Sequence, residues 1–246
     1  MTKGLILNPK FIPNIVYGFT TKYLLPSSDT YRYVPKLNDP EHNDHFKNRL
    51  FLANILNSDL EHINFLQQVH SNIAVELTRP QQLIQADAHV TGKEEFYLAI
   101  QTADCMPILL YSSKLKKIAA IHAGWKGAKT NIITNTLQYF TEDKEGTIAI
   151  IGPHIYQQSY EVGEEFMKNF LEDDKTYVKY FAKLSAQYHF DLTSFVKDSL
   201  LKNNITNIID LSEDTFSNLH WFSHRRFTKG IDSYYGSIIS FIKLCS

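Results

Sequence analysis

Three neighbouring segments, Tyr97–Thr102, Pro107–Tyr111 and Lys117–His122, are short, rich in apolar residues and separated by only a few residues each. They are too short for independent helices and read as strands. Their weak alternation of polar and apolar residues is the pattern of strands buried on both faces. Ile73 to Leu77, Thr147 to Ile151 and Thr206 to Leu211 read as further strands. Helical spacing begins near Asp44, with Phe46, Leu50, Ala53 and Leu56 on one apolar face. It recurs at Ile133, Leu137 and Phe140, and at Val162, Phe166 and Phe170. Phe195, Ser199 and Leu200 suggest another helix, capped by Asp191 or Thr193. Tyr235 to Leu244 fits either type. Residues 22 to 45, with Pro26, Pro35 and Pro40, read as a long loop. The mixture predicts an α/β or α+β protein with one extended sheet system. No repeat or linker divides residues 1–246, so a single domain is expected.

Composition narrows the functional classes. Twenty-five basic residues face 26 acidic ones, for a net charge of -1, which offers no electrostatic reason to bind nucleic acid or an anionic membrane. No run approaches the ~18–20 apolar residues of a membrane span, and Met1 to Asn14 does not read as a signal peptide. The two cysteines, Cys105 and Cys245, cannot make a disulfide framework. A cytoplasmic setting with reduced thiols is the expectation.

Three residues stand where a strand meets a turn. His70 follows Gln67-Gln68-Val69, Cys105 ends Thr102-Ala103-Asp104-Cys105, and His122 closes a run that leads into Ala123-Gly124-Trp125. Their separations are too long for a compact zinc finger. A thiolate and two imidazoles form a borderline-soft donor set that suits zinc or copper, and three ligands leave a fourth position for water or substrate. From spacing alone the signal is weak, and a core cysteine with two hydrogen-bonded structural histidines is the simpler reading.

The order of several motifs goes further. Gln68-Val69-His70, Ala86-Asp87-Ala88, Thr102-Ala103-Asp104-Cys105-Met106-Pro107 and His122-Ala123-Gly124-Trp125-Lys126-Gly127 are followed by Ile151-Gly152-Pro153, Tyr160-Glu161-Val162-Gly163 and Phe222-Ser223-His224-Arg225-Arg226. The chain, from about Gly18 to its end, resembles the YfiH family, also called the polyphenol oxidase laccase-domain or purine nucleoside phosphorylase family. Asn48-Arg49 fits as well. The resemblance implies a layered α/β fold, with mixed sheets packed between helices. It implies that His70, Cys105 and His122 are metal ligands. It also implies phosphorolysis of adenosine, inosine and methylthioadenosine, with deamination of adenosine as a second activity, so that purine nucleosides and phosphate are the expected partners.

The chain departs from the family pattern at several points. Lys126 stands where Arg is usual, His154 where Cys is frequent, and Asp214 where Cys is common. Lys229-Gly230-Ile231-Asp232 replaces a Thr-Gly-Arg, and Thr21-Lys22-Tyr23 an Arg-Gly-Gly. Asp104, beside Cys105, and Asp87 are each candidates for the proton shuttle, and each instead caps a turn or orients a ligand histidine on the other reading. Lys126, Arg225 and Arg226 are candidates to cradle phosphate. If Arg225 and Arg226 lie on a strand, only one of them faces the site. Trp125 either stacks on a purine or packs, and Tyr160-Glu161 would start the following helix. A cysteine hydrolase acting on an amide of a cell-wall precursor, with Cys105 as nucleophile and His122 or His70 as base, uses the same residues. A non-catalytic binding module is the third reading. A phenol oxidase using several coppers would need more paired histidines.

Overall fold

The structure, a computed structural model, describes residues 4–23, 44–80 and 84–245. Among these the strands, in chain order, are β1 (Leu5–Leu7), β2 (Ile15–Thr20), β3 (Ile63–Gln67), β4 (Ala74–Glu76), β5 (Ile84–Gln85), β6 (Ala88–Thr91), β7 (Tyr97–Thr102), β8 (Met106–Ser112), β9 (Lys117–Ala123), β10 (Ile148–Ile151), β11 (Glu161–Val162), β12 (Phe181–Leu184), β13 (Gln187–Phe190), β14 (Asn207–Asp210) and β15 (Ile238–Leu244). The helices are α1 (Asp44–Leu56), α2 (Trp125–Lys129), α3 (Ile132–Leu137), α4 (Glu164–Asp173), α5 (Leu192–Lys202) and α6 (His224–Thr228).

In place of one extended sheet system, two mixed six-stranded sheets form the body, in the orders β1-β2-β15-β7-β3-β5 and β14-β10-β8-β9-β6-β4. The side-chain period of two assigns alternate residues of the central strands to different cores. In β8, Leu109 and Tyr111 face the first sheet, while Ile108 and Leu110 face the helices on the other side. In β7, Leu98 and Ile100 face the second sheet, while Tyr97 and Ala99 pack under α1. Both faces of both sheets are therefore apolar, which is why the sequence alternation is faint. The layers run α1, first sheet, second sheet, then α3, α4 and α5 with the small antiparallel sheet β11-β13-β12.

The six strands expected from the sequence have the expected boundaries to within a residue or two, and the ambiguous Tyr235 to Leu244 holds β15; β1, β2, β3, β5, β6 and β11 to β13 fall outside that expectation. Three local expectations are corrected. In α1 the inward face is Leu52 and Ala53, whereas Leu50 is exposed; the side chains of Phe46, Asn48 and Arg49 lie outside the described residues. Val162 belongs to β11, and the helix that carries Phe166 and Phe170 starts after Gly163, so Tyr160-Glu161 does not open it. Arg225 and Arg226 lie on α6, not on a strand. The loop expected over 22–45 falls largely outside the described residues. Asp191 is the cap of α5, accepting from the Ser194 N–H at 2.8 Å.

Candidate metal centre

Strands β3 and β7 are parallel neighbours, so their C-terminal ends open on the same edge. His70 lies three residues beyond β3 and Cys105 three beyond β7. His122 comes from β9 of the other sheet, one residue before that strand ends. The site is thus built where the two sheets meet.

Local chemistry fixes each residue. The Gln68 side chain spans to β7, donating to the Gln101 carbonyl at 2.7 Å and accepting from the Gln101 N–H at 2.8 Å. This rung extends the β3–β7 pairing past its last backbone partner. His70 then takes the left-handed conformation, with φ of 59°. That turn points three successive N–H groups, of Val69, His70 and Ser71, at the carboxylate of Asp87, at 3.2, 3.0 and 2.6 Å. Such a concave run of N–H groups is a ready anion cradle. The Ser71 hydroxyl adds a fourth donor at 2.7 Å.

Asp87 also reaches His122. Its Oδ1 lies 2.7 Å from His122 Nδ1, and its backbone carbonyl accepts the His122 N–H at 2.7 Å. Burial works against a charge on Asp87, but His122 and Ser71 outweigh it and draw the carboxyl down to about 2. The ionised carboxylate therefore accepts a hydrogen bond from Nδ1–H, so Nε2 is the nitrogen that His122 would offer to a cation. Asp87 both caps the His70 turn and orients the second histidine.

The donors converge. Cys105 Sγ is 3.9 Å from His70 Nε2, the two imidazole rings meet edge to face at 4.8 Å, and the three ligand atoms all lie within 4.8 Å of one another. A tetrahedral zinc with bonds of ~2.0–2.3 Å needs edges of about 3.3–3.6 Å, which small side-chain rotations supply. Gly124 makes room for this: a Cβ there would stand 3.0 Å from Cys105 Sγ and 3.1 Å from His70 Cδ2. Donor chemistry, convergence and the glycine-lined approach all fit a soft-to-borderline cation. Burial alone would keep Cys105 protonated, but His122 overrides it with help from His70 and brings the thiol down to about 6. Burial alone would likewise keep His122 neutral, but the thiolate and then Asp87 raise it to about 9.

His70 and Cys105 open onto a cavity of about 550 Å³. Trp125, Tyr160, His224 and Arg225 line it, and so does Asp104. Asp104 has φ of 80°. Its carboxylate accepts from Thr215 Oγ1 at 2.6 Å, Ser223 Oγ at 3.1 Å and the Arg225 N–H at 2.6 Å. Ser223 and Arg225 bind the Cys105 loop to the start of α6, and Thr215 binds it to the segment that precedes that helix. The Arg225 guanidinium lies over the Tyr160 ring at 5.7 Å and donates to the Glu161 carbonyl at 2.7 Å. Trp125 also packs edge-on against Phe166 at 4.9 Å, so it serves both the cavity and the core.

Of the residues expected to cradle phosphate, Arg226 sits elsewhere. Arg226 is buried and does not line the cavity. Its guanidinium donates to the carbonyls of Thr215, Phe216 and Trp221 and to Asp232 Oδ2, so it organises the 215–232 segment. Lys126 is exposed, next to the cavity residue Trp125 and 5.5 Å from its ring. His224 and Tyr235 line the cavity, and sequence reasoning gave neither a role. For His224 the signal was present, in the motif that also holds Arg225.

A layered αββα body with one open His–Cys–His centre at the meeting edge of its sheets defines the class. The chain belongs to the family described as multi-copper polyphenol oxidoreductase laccase, which matches residues 33–245. It is 35% identical over 221 residues to a purine nucleoside phosphorylase of Rickettsia conorii, covering 88% of this chain and 91% of that one. It is 30% identical to the purine nucleoside phosphorylase YfiH of Escherichia coli over 84% of this chain and 82% of that protein. Among solved structures, a Bacillus licheniformis protein YfiH aligns with a TM-score of 0.85 at 25% identity, over 98% of this chain and 97% of that one. Among the described residues the three-ligand group is the one cluster suited to a metal, and none of their helices is long and apolar enough to cross a membrane.

Proposed function

We propose that this chain is a metal-dependent purine nucleoside enzyme. It cleaves adenosine, inosine and methylthioadenosine with phosphate, giving free base and ribose 1-phosphate or its methylthio analogue, and it deaminates adenosine as a second activity. The observation that carries this reading is the convergence of His70, Cys105 and His122 at a cavity whose other walls are aromatic and cationic. The relatives' names point the same way.

The donor set favours zinc, with copper as the other fit. When bound, such an ion supplies Lewis-acid polarisation and makes water available as a nucleophile near neutrality. The protein's own residues do the rest. Asp87 locks the tautomer of His122 and the turn of His70. Arg225 is tethered on one edge by the Glu161 carbonyl, and its remaining N–H groups make no hydrogen bond to a described residue, so they suit a phosphate oxyanion. Tyr160 stays a neutral phenol, because burial and the neighbouring Cys105 charge both raise it more than Arg225 lowers it. It therefore offers an aromatic surface and a hydroxyl to a nucleoside.

Zinc-loaded protein incubated with inosine and phosphate is expected to release hypoxanthine and ribose 1-phosphate. With adenosine it is expected to release adenine and inosine. No turnover at high enzyme, with zinc or copper restored, overturns the proposal. One observation favours a second reading, a cysteine amidase: Asp87, His122 and a Cys105 thiol drawn toward thiolate stand in the order of a nucleophilic triad. Tightly held stoichiometric zinc in the purified protein would disfavour it by occupying the sulfur. A covalent adduct at Cys105 with an activated amide in metal-free protein would favour it.

A further inference from the structure

We infer that His224 is the proton donor to the departing purine in the phosphorolysis proposed above, an inference that rests on that reading. A purine leaves poorly as an anion, and protonation of a ring nitrogen removes that barrier. The cavity must therefore hold an acid able to work near neutrality. His70 and Cys105 are committed to the ion. Asp104 is an acceptor for three donors. Arg225 does not release its protons, and a phenol such as Tyr160 is too weak an acid.

His224 has none of these obligations. It lines the same cavity as His70 and Cys105 and is exposed. Its ring stands edge-on to Tyr235 at 5.7 Å and 87°, and neither ring nitrogen hydrogen-bonds to a described residue. Its position is nonetheless fixed. Both neighbours along the chain are bound to Asp104, Ser223 through its hydroxyl and Arg225 through its N–H. The first turn of α6 is thus tied to the residue preceding Cys105, and it presents an imidazole beside the guanidinium assigned to phosphate.

The step balances as follows. The C1′–N9 bond breaks and its electron pair goes to the purine, while a phosphate oxygen forms the new bond to C1′. His224, as imidazolium, gives its proton to N7 of the base. The proton carried by hydrogen phosphate then returns to His224, leaving ribose 1-phosphate as the dianion.

The test compares inosine with 7-methylinosine, whose base leaves as a neutral molecule without a proton. Wild-type zinc-loaded enzyme and the His224→Asn and His224→Gln variants are assayed with phosphate on both, with metal content and Tm recorded for each. Both variants are expected to lose about 100-fold or more in kcat on inosine and no more than about threefold on 7-methylinosine. Equal losses on the two nucleosides, or no loss on inosine, overturn the inference while leaving the phosphorylase reading standing. A wild-type enzyme inert toward both nucleosides overturns that reading and this inference together.

Discussion

Asp87 carries more of the site than any other single side chain outside the ligand set. It is fully buried and accepts from four donors of the His70 turn as well as from Nδ1–H of His122. Asp87→Asn substitutes an amide that offers one acceptor oxygen and forces an N–H₂ against donors. Metal affinity is expected to fall about 10–100-fold, the usual cost of removing a carboxylate behind a ligand histidine, as read by competition with a chromogenic chelator. Unchanged affinity would show that His122 keeps its orientation without the carboxylate. Gly124→Ala attacks the same centre sterically. Its Cβ would lie at 3.0–3.1 Å from Cys105 and His70, so the ligands must separate. Metal occupancy after dialysis is expected to drop with little change in overall secondary structure by circular dichroism.

At the scale of elements, the segment from Thr215 to Asp232 behaves as a unit pinned at two points, the Asp104 carboxylate and the buried Arg226 guanidinium. Ser223 serves both the cap and the pin, since its hydroxyl accepts from the Arg226 N–H at 3.1 Å and donates to Asp104. Ser223→Ala is expected to cost about 1 kcal/mol, or about 2–4 °C in Tm for a chain of this size, measured by scanning calorimetry. This unit also explains what the sequence did and did not disclose. The strands from Tyr97 to Ala123 could be read because doubly buried strands leave continuous apolar runs. The convergence of His70, Cys105 and His122 could be anticipated because the motifs that hold them keep their order. Helix α6 has five residues, too few to display a period, so Arg225 and Arg226 looked like strand neighbours. One arginine does line the cavity and the other does not, but the cause is the roughly 100° step of a helix and the carbonyl cage around Arg226. Asp232, in the segment that departs most from the family pattern, proves to be the ion-pair partner of Arg226 at 2.8 Å. No local pattern announces a partnership made through the fold. Leu50 failed for a similar reason: periodicity defines an apolar stripe, but the packing of α1 on Phe65 and Phe241 decides which edge of it faces inward.

At the scale of the whole molecule, the space between the two sheets holds a polar group that the rest of the core does not satisfy. His89 sits in β6 between Ala88 and Val90, which face the helices, so its ring points toward the opposite sheet. It is fully buried and neither ring nitrogen has a hydrogen-bond partner. Burial therefore lowers its pKa from 6.5 to about 3. The unfolded chain binds a proton at His89 as pH drops through 6.5, while the folded protein resists until about 3. The stability that follows from this difference is intact above 6.5 and is lost progressively as pH falls across that window. At pH 5 the loss is about 2 kcal/mol from this residue alone. His122, raised to about 9, acts on the other side: its contribution is full below 6.5 and fades as pH climbs toward 9. Asp87, lowered to about 2 from 3.8, matters only in stronger acid. Buried His154 is lowered as well and contributes with the same sign as His89, but it is present in any His89 variant and cancels in a comparison. His89→Leu keeps a similar volume and removes the orphaned nitrogens, so it is expected to equal or exceed the parent in Tm at pH 7 and to lose Tm less steeply between pH 6.5 and 4.5. Parallel Tm curves for the two proteins across that interval would mean that His89 finds a partner or solvent in the folded state, and that the two sheets enclose a wetter interior than their packing describes.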